Sequence, residues 1–158
     1  RVGPWVVGAL VACNAVGDVI DPATGQVLAG ARTADGRKLL DTQRAFLNGE
    51  LGNRPLPGTN TTIGVVATNA TLTKAQAKRL AMSAHDGLAR SIRPAHTTLD
   101  GDTLFAMATG TEAGPVDLML LTVMAAEATA LATVDAIRQA RSITTQWGDV
   151  PAALDWAN

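Results

Sequence analysis

The apolar positions of this chain fall into runs of different period, and each period predicts a different element. From Trp5 to Ala15, "WVVGALVACNA", Asn14 is the one strongly polar side chain. Such a run, rich in Val and punctuated by Gly8, predicts a central strand buried on both faces. The stretches Thr61 to Thr68, "TTIGVVAT", and Thr103 to Thr109, "TLFAMAT", predict a second and a third strand. Between them, Thr73 to Ile92 sets Leu80, Ala81, Ala84, Leu88 and Ile92 on one side and Lys74, Lys78 and Arg79 mostly off it. That pattern predicts an amphipathic helix capped by Thr71 or Thr73. A longer helix is predicted from Pro115 to about Ser142, with Pro at its start and Arg138 and Arg141 near its end. Its first half is apolar almost all round and belongs between other layers. Glu127 and Asp135 break the run, so a membrane span is the poorer reading.

Polar stretches divide these elements. "GDVIDPATGQVLAGA" carries Asp21-Pro22 and Thr24-Gly25 between two short Val/Leu pieces, which predicts a hairpin or a loop with a short strand. Thr33 to Asn60 is a long polar connection with one short helix around Leu40 to Leu47, and it ends in the Pro- and Gly-rich "RPLPGTN". Connections longer than about 12 to 15 residues with little regular structure are commonly functional or mobile. Strands joined by helices that must cover sheet faces give a single α/β layered domain over residues 1–158.

Composition narrows the function classes. With 158 residues and 47% hydrophobic content the chain has enough apolar mass for a core. Thirteen Lys and Arg against fourteen Asp and Glu are scattered, with a net charge of -1, so there is no basic stripe for nucleic acid. Cys13 stands alone; a disulfide framework and a Cys-rich zinc site are both excluded, and a reducing compartment, the cytoplasm, is expected. It reads as a small core residue. His85 and His96 lack the spacing of a metal pair and read as structural or solvated, so no metal or other cofactor is expected. The chain opens at Arg1 without an initiator Met and runs at once into its apolar stretch, as a processed protein or a segment of a longer one would.

Three places could carry chemistry. Thr61 heads a strand directly after Asn60, and a threonine freed at a new N-terminus is nucleophile and base in one residue, its own α-amine taking the hydroxyl proton. The same residues also suit a turn that simply starts the strand. Asp100 and Asp102 flank Gly101; if the glycine permits an unusual backbone turn they can serve one place and orient an amine or a hydroxyl, and otherwise they form a solvated turn. No ladder of further oxygen ligands follows them as a calcium loop requires. Asn14, near the end of an apolar strand, suits either an oxyanion donor or a structural hydrogen bond.

Taken together and in order, "GALVACNAVGDV", "NTTIGVVATNATLT" and "IRPAHTTLDGDTLFAMATG" resemble the C-terminal half of the DmpA-type aminopeptidase family, within it the nylon-oligomer hydrolase branch. The resemblance runs from about Val7 to Ile137, and the NTT and DGDTLFA segments are its most specific parts. It implies an αββα sandwich and a precursor that cuts itself into a larger and a smaller chain. By that resemblance the cut falls between Asn60 and Thr61, leaving 1–60 at the end of the larger chain and 61–158 as the smaller one. Thr61 is then the implied nucleophile, Asp100 and Asp102 the acidic pair that supports it, and Asn14 an active-site residue of the larger chain.

The implied activity is hydrolysis of a peptide or linear amide oligomer, without cofactor, in a homo-oligomer that includes the upstream part of the precursor. Ornithine acetyltransferases carry a similar Thr and DGD-T arrangement, so acyl transfer to an amine is the implied alternative; a noncatalytic, uncleaved scaffold is another. A Lys found upstream in the nylon-hydrolase branch has no counterpart in these residues. The aminopeptidase branch commonly has Ser where Thr61 stands.

Overall fold

The computed structural model describes residues 1–50, 60–153 and 155. Its central sheet has the order β1 (Val7–Ala12), β4 (Ile63–Ala70), β6 (Thr103–Glu112). β1 runs antiparallel to β4, whereas β6 runs parallel to it. The parallel pair needs a crossover, supplied by α2 (Lys74–Ser91). Thr73 caps that helix: its hydroxyl accepts from the Gln76 N–H while the Gln76 side chain accepts from the Thr73 N–H, a capping box. α3 (Leu118–Gln139) follows β6, capped by Asp117, which accepts from the Leu120 N–H. Asp117, two residues beyond Pro115, therefore sets the helix start.

α2 and α3 pack side by side on one face of the sheet, α2 over β6 and α3 over β1. Leu80, Ala84, Leu88, Leu121 and Ala125 meet Val11, Val66 and Leu104 there and form the core. The helices approach closely at Gly87, where an added Cβ would lie 2.3 Å from the Ala126 carbonyl oxygen. α3 is long and apolar enough by composition to cross a membrane, and its Leu121, Ala125, Thr129, Ala130, Thr133 and Val134 form a buried stripe. Met119, Val123 and Leu131 stand exposed on its other sides.

The apolar run from Trp5 to Ala15 behaves differently from its expectation as a central strand. β1 lies at the sheet edge, and its burial alternates. The rows Leu10–Val65–Phe105 and Gly8–Ala67–Met107 cross the sheet on the face turned away from the helices, with Leu10 74%, Phe105 62% and Met107 54% exposed. The sequence is apolar on both faces, but only one of them is covered here.

A second small sheet has the order β3 (Val27–Ala29), β2 (Asp18–Ile20), β5 (Ile92–Arg93), which is the predicted hairpin extended by the end of α2. Asp18, fully buried, organises it. One carboxylate oxygen accepts from the Thr42 hydroxyl at 2.6 Å and the Ala31 N–H at 3.2 Å; the other accepts from the Thr42 N–H at 2.6 Å. Those bonds offset the cost of burying the charge and fasten α1 (Thr42–Leu47) to the hairpin. A hairpin of β7 (Ile143–Thr145) and β8 (Gly148–Val150) follows α3. Stretch 51–59, most of the Pro- and Gly-rich segment ahead of Asn60, lies outside the described residues.

Candidate active site

Thr61 sits where β4 is about to begin, clasped between the chain that leaves β1 and the loop that enters β6. Its N–H donates to the Asn14 carbonyl at 2.8 Å. On the other side the Gly101 N–H donates to the Asn60 carbonyl at 3.0 Å, and the Thr103 N–H to the Thr62 carbonyl at 2.9 Å, so the β4–β6 pairing extends past the strand end. Four of the residues expected from sequence, Asn14, Asn60, Thr61 and Asp100, therefore meet through the backbone. Asp102 joins them through its side chain, which accepts from the Thr62 N–H at 2.9 Å.

The two carboxylates take different partners. Asp100 accepts from the Val16 N–H at 3.0 Å, and its second oxygen accepts from the Thr97 N–H at 3.0 Å and the Thr97 hydroxyl at 2.6 Å. It thus ties the chain after β1 to the loop before β6. Asp102, whose side chain is 4% exposed, places its second oxygen 2.7 Å from Nδ1 of His96. The glycine between them is needed for space rather than for an unusual turn: Gly101 lies outside the left-handed region, and a Cβ there would come within 2.8 Å of the Thr61 Oγ. Among the described residues no group of three His, Cys, Asp or Glu side chains is placed to hold a metal ion.

The Thr61 hydroxyl donates to the Asn60 carbonyl oxygen at 2.6 Å. Hydroxyl and carbonyl are thus side by side, and the Gly101 N–H already points at the oxygen on which charge would develop if the hydroxyl added to that carbonyl. A fixed donor aimed at developing negative charge is the usual means of stabilising such an addition.

Cys13 lies behind this clasp. The Thr62 hydroxyl reaches its sulfur at 4.0 Å, and burial pushes the thiol above its ordinary range, so it remains a protonated, weakly reactive group. His85, on α2, faces His96 with ring centroids 5.0 Å apart. Burial, and next the neighbouring His96, push its pKa down from the ordinary histidine range. A cavity of about 480 Å³ opens between α1 and residues 94–99, lined by Phe46, Leu47, Pro94, Thr97 and Leu99 among others. Thr97, the partner of Asp100, is in its wall.

Sequence reasoning missed His96, Thr97 and Thr62 as parts of the site. The available signal was proximity: His96 and Thr97 lie in the loop that carries Asp100 and Asp102, and Thr62 follows Thr61.

Comparison with known proteins gives the family and the fold class. A stretch of 108 residues, 68% of this chain, is 51% identical to an uncharacterised aminopeptidase of Mycobacterium leprae and covers 30% of that protein. A stretch of 112 residues is 35% identical to a 6-aminohexanoate-oligomer endohydrolase of a Kocuria species, covering 69% of this chain and 31% of that enzyme. The chain thus spans about a third of the length of these curated relatives. Among solved structures, 92% of it superposes on 44% of the L-aminopeptidase D-Ala-esterase/amidase of Ochrobactrum anthropi, with a TM-score of 0.53 at 19% identity. That enzyme is described as a variant of the Ntn hydrolase fold, and the likeness shows the α/β sandwich class that the sequence motifs imply. The model of peptidase family S58 matches residues 1–150, and the chain belongs to that family.

Proposed function

We propose that this chain is the C-terminal part of a self-processing amide hydrolase whose nucleophile is Thr61. The observation that carries the reading is the 2.6 Å contact between the Thr61 hydroxyl and the Asn60 carbonyl oxygen, with the Gly101 N–H 3.0 Å from the same oxygen. In processing, Thr61 Oγ adds to the Asn60 carbonyl carbon, the hydroxyl proton passes to the Thr61 nitrogen, and the C–N bond breaks to leave an ester. Water then hydrolyses the ester. The products are an Asn60 carboxylate and a chain that begins at Thr61 with a free hydroxyl and a free α-amine.

In turnover the same hydroxyl attacks the substrate carbonyl while the α-amine takes its proton and passes it to the leaving amine; water releases the acyl group. The Asn14 carbonyl, 2.8 Å from the Thr61 nitrogen, is placed to hold that amine. Asp102 fixes the backbone beside it and Asp100 fixes the loop; the family resemblance, rather than a contact, gives the Asn14 side chain the oxyanion role. The names of the relatives favour peptides or linear amide oligomers as substrates. The apolar cavity beside Thr97 suits the acyl chain of such a molecule.

The test is intact mass and N-terminal sequencing of the complete precursor, wild type and Thr61→Ala. The wild type is expected to yield a chain starting at Thr61, and the variant to stay whole. If both stay whole while folded, the reading fails and a noncatalytic scaffold takes its place.

A further inference from the structure

His96 is an unexpected member of the clasp. It stands in the left-handed region with φ 54, which residues other than glycine adopt at a cost and which points to a constraint on the side chain. Its Nδ1 lies 2.7 Å from one oxygen of Asp102, a carboxylate that is 4% exposed. An ionised carboxylate only accepts, so Nδ1 carries the proton and donates. The other oxygen of Asp102 accepts from the N–H of Thr62, a fully buried residue bonded directly to Thr61. The His85 ring lies beside the imidazole, tilted 57° to it with centroids 5.0 Å apart.

The contacts form one line from solvent to the nucleophile: imidazole, carboxylate, backbone N–H, Thr61. A carboxylate held at one oxygen only can swing about its Cβ–Cγ bond; held at both, it has one orientation, and the Thr62 nitrogen is fixed with it. In the serine-protease arrangement a carboxylate orients an imidazole. Here the imidazole orients the carboxylate. We propose that His96 is a positioning residue for Thr61, its Nδ1–H locking Asp102 and, through the Thr62 N–H, the backbone that carries the nucleophile. This rests on the reading of Thr61 given above and adds to it a group outside the Thr, Asp and Asn set.

The experiment follows self-cleavage of the complete precursor after a pulse of cell-free synthesis, which needs no knowledge of the substrate. Three variants separate donor from backbone. His96→Gly accepts the left-handed conformation without strain but removes the donor. His96→Asn and His96→Asp have the same shape and both tolerate that conformation, yet only Asn supplies an N–H in place of Nδ1. Cleavage is expected to slow on the order of 10- to 100-fold in His96→Gly, as small misplacements of a nucleophile do. His96→Asn recovers most of the wild-type rate, and His96→Asp does not.

The proposal is overturned if His96→Gly cleaves at the wild-type rate. It is equally overturned if His96→Asn and His96→Asp cleave alike, a comparison that stands even where the glycine variant folds poorly. A wild type that never cleaves is a different result: it removes Thr61 as the nucleophile and this role of His96 with it.

Discussion

At the scale of single residues, the site depends on what Gly101 lacks. Its backbone is not left-handed, so an alanine there meets no conformational penalty of that kind, but its Cβ would sit 2.8 Å from the Thr61 Oγ. Thr61 is β-branched and has few rotamers in which to retreat. The hydroxyl would have to turn away from the Asn60 carbonyl oxygen it now contacts at 2.6 Å. Gly101→Ala is therefore expected to slow processing by about 100-fold while leaving the far-ultraviolet circular dichroism of the precursor unchanged. Processing at the wild-type rate would mean that the observed hydroxyl position is not the reactive one. The requirement was only half legible in the sequence. The DGD spacing marks the glycine, but a turn explains it as well as a close approach does, and the Thr61 side chain that decides between them is forty positions away along the chain.

At the scale of elements, periodicity located most of the fold because most of its elements bury one face. α2 carries Leu80, Ala84 and Leu88 on its buried side as its spacing requires, and Thr73 closes it with Gln76. β4 and β6 begin within two residues of where their apolar runs predict. What escaped is what local pattern does not encode: β5 is two residues that pair only because α2 ends beside β2, and Asp18 is buried because Thr42 and Ala31 come to it from later in the chain. The approach of α2 to α3 belongs to the same class. Gly87 meets Ala126, Thr129 and Ala130 so closely that a methyl group would collide with backbone on the other helix. Overpacked sites cost about 1–3 kcal/mol, against a small helix-propensity gain from Ala. Gly87→Ala should thus lower the unfolding free energy from urea titration by that order, with a lower midpoint, without altering processing of the fraction that remains folded; an unchanged or raised midpoint would show that the helices part easily.

At the scale of the whole molecule, the uncovered sheet face connects the sequence pattern to the length of the relatives. β1, β4 and β6 are apolar on both faces, as strands of a sheet packed between two layers are, yet Leu10, Ile63, Phe105 and Met107 are each more than half exposed. Soluble proteins seldom leave so continuous an apolar surface open. The matched stretch is 30% of one curated relative and 31% of another, and the αββα sandwich that the sequence motifs imply packs a second sheet against the first. Under the proposed function, with this chain as one part of a longer precursor, the remainder is expected to cover the face, and the Trp5–Ala15 run would then be buried on both sides. Phe105, in the middle row between Leu10 and Val65 on one side and open surface on the other, reports on this. If it is exposed in the complete protein, Phe105→Ala changes stability by no more than about 0.5 kcal/mol, as ordinary surface substitutions do. If a second sheet packs on it, the loss is about 3–5 kcal/mol, the range for emptying a buried aromatic site. Denaturant unfolding of the complete precursor, wild type against Phe105→Ala, is expected to give the larger value, and the smaller one would place the second sheet elsewhere.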